Sequence, residues 1–152
     1  MKKIRLANNK GFALIDDEDF EKINQYTWHI TDKNAAKRSD YTNSKTPKSV
    51  LMHRQILNVH DPEIEVDHIN HNRLDNQKSN LRLCNGSQNC ANRIMKNNLK
   101  GIRQKGKKWQ ARIRTKGKEI HLGTFKTCED AINVYNKKIK EIFGDFAQVN
   151  RL

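Results

Sequence analysis

Asp67 and His68, at the end of the run Ile64-Glu65-Val66-Asp67-His68, are the side chains of this 152-residue sequence best placed to do chemistry. A neutral imidazole can take a proton near pH 7, because its ordinary pKa is about 6.5. The carboxylate beside it points to the opposite side of an extended chain, where it can offer oxygen to a hard cation. Asn89, on a short helix further along, can offer a neutral amide oxygen to the same ion. A base for water, a divalent cation on the phosphate and groups to hold both are what phosphodiester cleavage needs. Two protein oxygens completed by water and phosphate suit Mg²⁺, which dehydrates reluctantly, with Mn²⁺ able to substitute.

The elements that must position these residues can be read from patterning. Ile64 to Val66 reads as a strand, and the Asn-, His-, Asp- and Lys-rich stretch after it reverses the chain. Leu81 and Leu83 then alternate as a returning antiparallel strand. Asn85 or Ser87 can cap a short helix carrying Gln88, Asn89, Cys90, Asn92 and Arg93. The expected product is a ββα unit over residues 64–93. His71 is either a second imidazole near the phosphate or a solvated turn residue. His53 sits where a strand leads into a short helix, over Ser49 to Leu57, and either faces the phosphate or is packed or hydrogen-bonded.

Upstream, Ile4, Leu6, Phe12, Leu14 and Ile15 flank Asn8-Asn9-Lys10-Gly11 as a hairpin. The acidic segment from Asp16 to Asp19 opens a helix with Phe20 and Ile23 on one face, and Trp28 to Thr31 forms a strand. Asp32 to Lys48 reads as a loop interrupted by a strand around Tyr41. Lys33, Lys37, Arg38, Lys45 and Lys48 lie there, either near phosphates or in solvent.

Net charge is +13, and its distribution is uneven. Residues 1–52 carry 10 basic and 7 acidic side chains, residues 53–95 carry 5 and 5, and residues 96–152 carry 15 and 5. The chemical centre is therefore neutral, while the C-terminal third attracts a polyanion. Cleavage and grip read as separate modules: the chemical centre within residues 53–95, a linker over 96–100 and a DNA-binding domain over 101–152. In the last, Ala111 and Ile113 alternate with Gln110, Arg112 and Arg114, and Ile120 and Leu122 with Glu119 and His121. Three antiparallel strands are expected, then a helix capped at Thr127 and stopped at Gly144. Its apolar face would cover one side of the sheet and leave Arg103, Arg112, Arg114 and His121 exposed for a DNA major groove. The fold class is α+β. Three cysteines without C-x-x-C spacing indicate free thiols. No apolar run is long enough for a bilayer and no signal-peptide core follows Met1-Lys-Lys, so a cytoplasmic protein is expected.

Two resemblances sharpen this reading. Residues 53–93, through HRQIL, VDHIN, LDNQKSNLRL and SQNCANR, resemble the HNH endonucleases of phage and mobile-intron homing type. LIDDEDFEKINQYTWHI resembles the lead-in of many of them, which attaches residues 1–52 and implies a nuclease domain over 1–95, and His53 matches a histidine that recurs there. The resemblance implies a ββα-metal nuclease fold with His68 as general base, Asp67 and Asn89 as metal ligands, and Asn80 bracing the loop between the strands. Asn89 stands where His is frequent, which favours a hard cation. Residues 101 to about 150, through GIRQ, KWQARIR, HLGTF and DFAQVN, resemble the Apetala or ethylene-response-factor DNA-binding domain. That resemblance implies DNA contacts at Arg103, Trp109, Arg112 and Arg114, with His121 where plant members often carry Trp. Arg112 replaces a frequent acidic residue, so the plant target does not transfer. The combined expectation is a metal-dependent, site-specific endonuclease of homing type acting on double-stranded DNA, as a monomer that nicks or a homodimer, with no other protein partner implied. A DNA-binding regulator without cleavage is the alternative, and an RNA-directed protein is a third reading disfavoured by the narrow A-form major groove.

Overall fold

Three residues with positive φ, Asn8 (60°), Asn9 (56°) and Gly11 (92°), turn the N-terminal hairpin between β1 (Lys2–Arg5) and β2 (Phe12–Ile15), paired Lys2↔Ile15 to Arg5↔Phe12. Asn and Gly tolerate this backbone, which explains the composition of the turn. The computed structural model describes residues 1–41, 46–95 and 99–151. These divide into two compact units, Met1–Cys84 and Asn85–Leu152.

In the first unit the hairpin leads through a 3₁₀ turn at Asp17–Asp19 into α1 (Phe20–Asn24). A three-stranded antiparallel sheet follows, made by β3 (His29–Ile30), β4 (Ala36–Asp40) and β5 (Lys48–Leu51), with β4 central. The strand expected around Tyr41 thus ends one residue before it. Helix α2 (Met52–Ile56) continues directly from β5, as the sequence predicts. Then β6 (Glu65–His68) and β7 (Leu81–Cys84) pair antiparallel. Ile4, Leu6, Ala13, Ile15, Ile23, Trp28, Met52, Ile56, Val66 and Leu81 form one buried core. Residues 1–52 therefore share a core with the strands that carry Asp67 and His68. At roughly 25 cal/mol per Å² of apolar surface removed from water, this common core is what fixes the strand ends in place.

The second unit begins with α3 (Gly86–Asn92), closed by a capping box: the Asn85 side chain accepts from Gln88 N while the Gln88 side chain accepts from Asn85 N. Strands β8 (Ile102–Lys105), β9 (Lys108–Thr115) and β10 (Lys118–Phe125) form an antiparallel sheet with β9 in the middle. Helix α4 (Cys128–Phe143) starts at Thr127, whose hydroxyl accepts from Asp130 N, and ends at Gly144. Ala91, Ile102, Ala111, Ile113, Ala131, Ile132, Tyr135 and Ile139 make a second core. A Cβ on Gly101, at φ +68°, would collide with Arg112 O and the Tyr135 ring, so only glycine fits where the chain enters this sheet.

The packing boundary falls earlier in the chain than the expected division after residue 95. Helix α3 belongs with the second unit because Ala91 lies in its core and accepts from Gln148 N at 3.1 Å. Lys100, which the sequence places in a linker, caps the C-terminal end of α3 instead: its Nζ donates to the carbonyls of Cys90, Ala91 (2.8 Å) and Arg93 (3.3 Å). Residues 96–98 of that linker, like Lys45 in the first unit, lie outside the described residues. No helix among the described residues is long and apolar enough to cross a membrane.

Candidate active site and nucleic-acid interface

Strand pairing sets the geometry around β6. Asp67 sits opposite Arg82 and His68 opposite Leu81. Successive side chains on a strand face opposite ways, so the carboxylate and the imidazole project from opposite faces of β6. Both are buried. Arg82 Nε donates to Asp67 Oδ2 at 2.9 Å, and a second guanidinium nitrogen lies 2.8 Å from the same oxygen. That contact balances a buried negative charge and fixes the carboxylate's orientation.

His68 is buried between two side chains. Its Nε2 lies 3.1 Å from Asn76 Oδ1, and its ring meets that of His53 edge to face, with centroids 5.0 Å apart at 86°. Burial lowers the His68 pKa below its ordinary value, and the Arg73 charge adds to this, against the hydrogen bond with Asn76 and the charges of Asp67 and Asp75. His53 is lowered to about 3, by burial first and then by His68, Arg54 and Arg73. Both rings are neutral at pH 7. His53 is buried against the His68 ring, and its Nδ1 has no hydrogen-bond partner among the described residues. Arg54, one residue on, donates to Ile64 O and Asp61 O, both at 2.6 Å, tying α2 to the segment that enters β6.

The loop between β6 and β7 is built from short polar side chains bonding their own backbone. Asn80 Oδ1 accepts from Asn70 N at 3.0 Å and its Nδ2 donates to Asp75 O at 2.8 Å. One buried carboxamide thereby bridges the two ends of the loop. Asn70 Nδ2 donates to Asp75 Oδ2, and Asp75 Oδ1 accepts from Gln77 Nε2. The loop is also pinned to the N-terminal hairpin: Leu14 N donates to Leu74 O at 2.7 Å and Asn76 N to Leu14 O at 2.8 Å. His71 is exposed in this turn at φ +65°, its backbone N–H donating to His68 O.

The first unit therefore brings together Asp67, His68, Asn80 and His53. Asn89 is carried by α3 in the second unit. Patterning does not single out Asn76, Arg82 or Asp75 for a role at the site. Cys84, buried at the end of β7, is held as a thiol: burial, then Asp67 and Glu65, push its pKa up to about 11. No group of three or more His, Cys, Asp or Glu side chains suited to a metal occurs among the described residues. Arg38, a candidate for phosphate contact, is engaged within the chain, over the Tyr26 ring at 4.1 Å and donating to Gln55 Oε1 at 2.8 Å. Lys33, Lys37 and Lys48 are exposed.

In the second unit the register sorts the sheet into two faces. Arg103 pairs with Gln110, and His121 with Arg112, so Arg103, Arg112, Arg114 and His121 share the face away from the core residues Ala111 and Ile113. Arg103, Arg114 and His121 are exposed, and Arg112 is half-buried in an ion pair with Glu119 at 3.2 Å. A bulge between His121 and Gly123 brings Thr124 opposite Gln110, and its hydroxyl lies 3.4 Å from His121 Nε2. Trp109 lies on the other face of the sheet. It pairs with Gln104 and Phe125, on the side that α4 covers, and packs against the second core.

Comparison with known proteins gives two similarities. Over 154 aligned residues the chain is 30% identical to an uncharacterized HNH endonuclease of Acanthamoeba polyphaga mimivirus, covering 97% of this chain and 79% of the relative. A 39-residue stretch is 44% identical to an ethylene-responsive transcription factor-like protein of Arabidopsis thaliana, covering 26% of this chain and 17% of that protein. No family model matches the chain. No solved structure matches it.

Proposed function

Because the chain belongs to the HNH endonuclease family, we propose that it is a metal-dependent, site-specific DNA endonuclease of homing type, nicking or cutting double-stranded DNA. The observation that carries the reading is a buried, neutral His68 one residue from a buried Asp67, above a loop braced by Asn80.

The residues present fit a hard divalent cation, with Mg²⁺ first and Mn²⁺ as a substitute. Asp67 offers carboxylate oxygen, while Cys84 stays a thiol and so does not offer the thiolate that a soft metal would select. Asp67 would hold the ion, and on the family resemblance Asn89 would contribute an amide oxygen. When bound, such a cation supplies positive charge to the scissile phosphate and the leaving 3′-oxygen. Neutral His68 takes the proton of the water whose oxygen bonds to phosphorus as the bond from phosphorus to the 3′-oxygen breaks. Arg82 keeps the Asp67 carboxylate in one orientation through this exchange. The second unit is the grip: Arg103, Arg112, Arg114 and His121 lie on a rigid sheet whose guanidinium groups suit guanine edges and phosphates. Its likeness to a segment of a transcription factor-like protein supports that role.

One hydrolytic centre per chain nicks one strand, so a double-strand break would need a dimer or successive nicks. The test is relaxation of supercoiled plasmid carrying candidate host or phage sequences, with Mg²⁺, with Mn²⁺ and with chelator. Nicking that needs the metal is the expected result. Tight duplex binding with no nicking across a broad DNA library would favour the non-cleaving regulator, and equal competition by duplex RNA would count against DNA as substrate.

A further inference from the structure

Asn76 is among the largest fully buried side chains of the first unit, although it lies in a loop whose neighbours Asn72 and Arg73 are exposed. A carboxamide removed from water needs partners, and the two it has are unequal. Its Oδ1 faces His68 Nε2 at 3.1 Å, and its Nδ2 donates to the Met52 sulfur at 3.5 Å. The opposite amide orientation would leave the carbonyl against a thioether that has nothing to donate. An amide oxygen only accepts, so the His68 nitrogen facing it carries the proton. A neutral imidazole has one N–H, so the other ring nitrogen, Nδ1, holds the lone pair.

Asn76 is itself anchored. Its backbone N–H donates to Leu14 O at 2.8 Å, placing it on the edge of the β1–β2 hairpin rather than on a free loop. On another side of His68, the His53 ring at 5.0 Å limits its swing. We propose that Asn76 is the positioning residue of this site, holding the His68 proton on Nε2 and so setting the tautomer of the base. The proposal rests on the reading of His68 as the base. It assigns a role to the asparagine of Leu74-Asp75-Asn76, which its sequence context does not distinguish from a turn residue.

The experiment is a long-range ¹H–¹⁵N correlation spectrum of the full-length, ¹⁵N-labelled chain above pH 7, without metal or DNA, with His68 assigned by comparison with His68→Ala. The Nε2-protonated tautomer is expected. An Nδ1-protonated ring, or an even mixture of tautomers, in the wild type overturns the proposal before any variant is made. Asn76→Ala should release the ring into a mixture and lower the nicking kcat at least about tenfold, with DNA affinity unchanged. A folded Asn76→Ala that keeps both tautomer and kcat also overturns it. The spectrum does not depend on cleavage: a held tautomer in a chain that cuts no DNA leaves the pairing of Asn76 with His68 standing and removes only the hydrolytic reading.

Discussion

His53 and His68, fifteen positions apart in sequence, meet edge to face with ring centroids 5.0 Å apart, and both are buried. Two imidazoles this close cannot both charge without repulsion, and burial already opposes charging either. The pair is therefore neutral in the folded state, which has consequences for stability and for catalysis.

Stability should fall as pH drops below about 6.5. His53 has a folded pKa of about 3 against an ordinary 6.5, so between these values the unfolded chain binds the extra proton. Stability then rises with pH across that window, by up to about 1.4 kcal/mol per pH unit for one such group. His68, lowered in the same direction, adds to the slope. Urea denaturation at pH 5 and pH 7 should show the loss, and His53→Phe should flatten it. Equal stability at both pH values in the wild type would rule out a buried neutral His53.

Cleavage should persist on the acid side of an ordinary histidine. The base acts only when neutral, and His68 is lowered from 6.5. The acid limb of kcat/KM for nicking, which reports the free enzyme, should fall below pH 6.5. A limb centred above pH 7 would mean that another group, or a charged His68, controls the rate.

Arg82→Ala should be among the most damaging substitutions in the first unit. It removes the guanidinium facing a buried Asp67 carboxylate, and leaving such a charge uncompensated costs about 3 kcal/mol or more. Thermal unfolding measures this. A variant within 0.5 kcal/mol of wild type, roughly the range of ordinary surface changes, would show that the ion pair does not hold Asp67.

The two faces of the second sheet should respond differently. Arg103→Ala or Arg114→Ala should weaken duplex binding and reduce the salt slope by about 1 for each phosphate no longer neutralised, with melting temperature nearly unchanged. Trp109→Ala should instead lower stability by at least about 2 kcal/mol, because Trp109 packs under α4. Affinity loss in Trp109→Ala at full stability would restore it to the DNA face.

Local chemistry makes much of the fold legible. The Asn8-Asn9-Gly11 turn, the Asn85 and Thr127 caps, and the alternation from Trp109 to Arg114 all depend on neighbours within a few residues, and each is found in place. Asn80 makes two hydrogen bonds within the loop, from Asn70 N and to Asp75 O. Asn76 is not legible, because its contacts come from Leu14, Met52 and His68, and among the asparagines at 70, 72, 76 and 80 nothing local sets it apart. The attachment of α3 to the second unit depends on Lys100 and Gln148, both beyond the reach of local patterning. Trp109 differs for another reason: a resemblance carries it to the DNA face, whereas its own alternation with Arg112 and Arg114 puts it on the other.

The central claim is that His68 and Asp67 together perform metal-dependent phosphodiester cleavage. Supercoiled plasmid from a candidate host or phage should be incubated with wild type, His68→Ala and Asp67→Ala in Mg²⁺, each protein first checked for folding and duplex binding. Nicking by wild type alone, with binding retained in both variants, is the predicted result. Undiminished nicking by folded His68→Ala would contradict it.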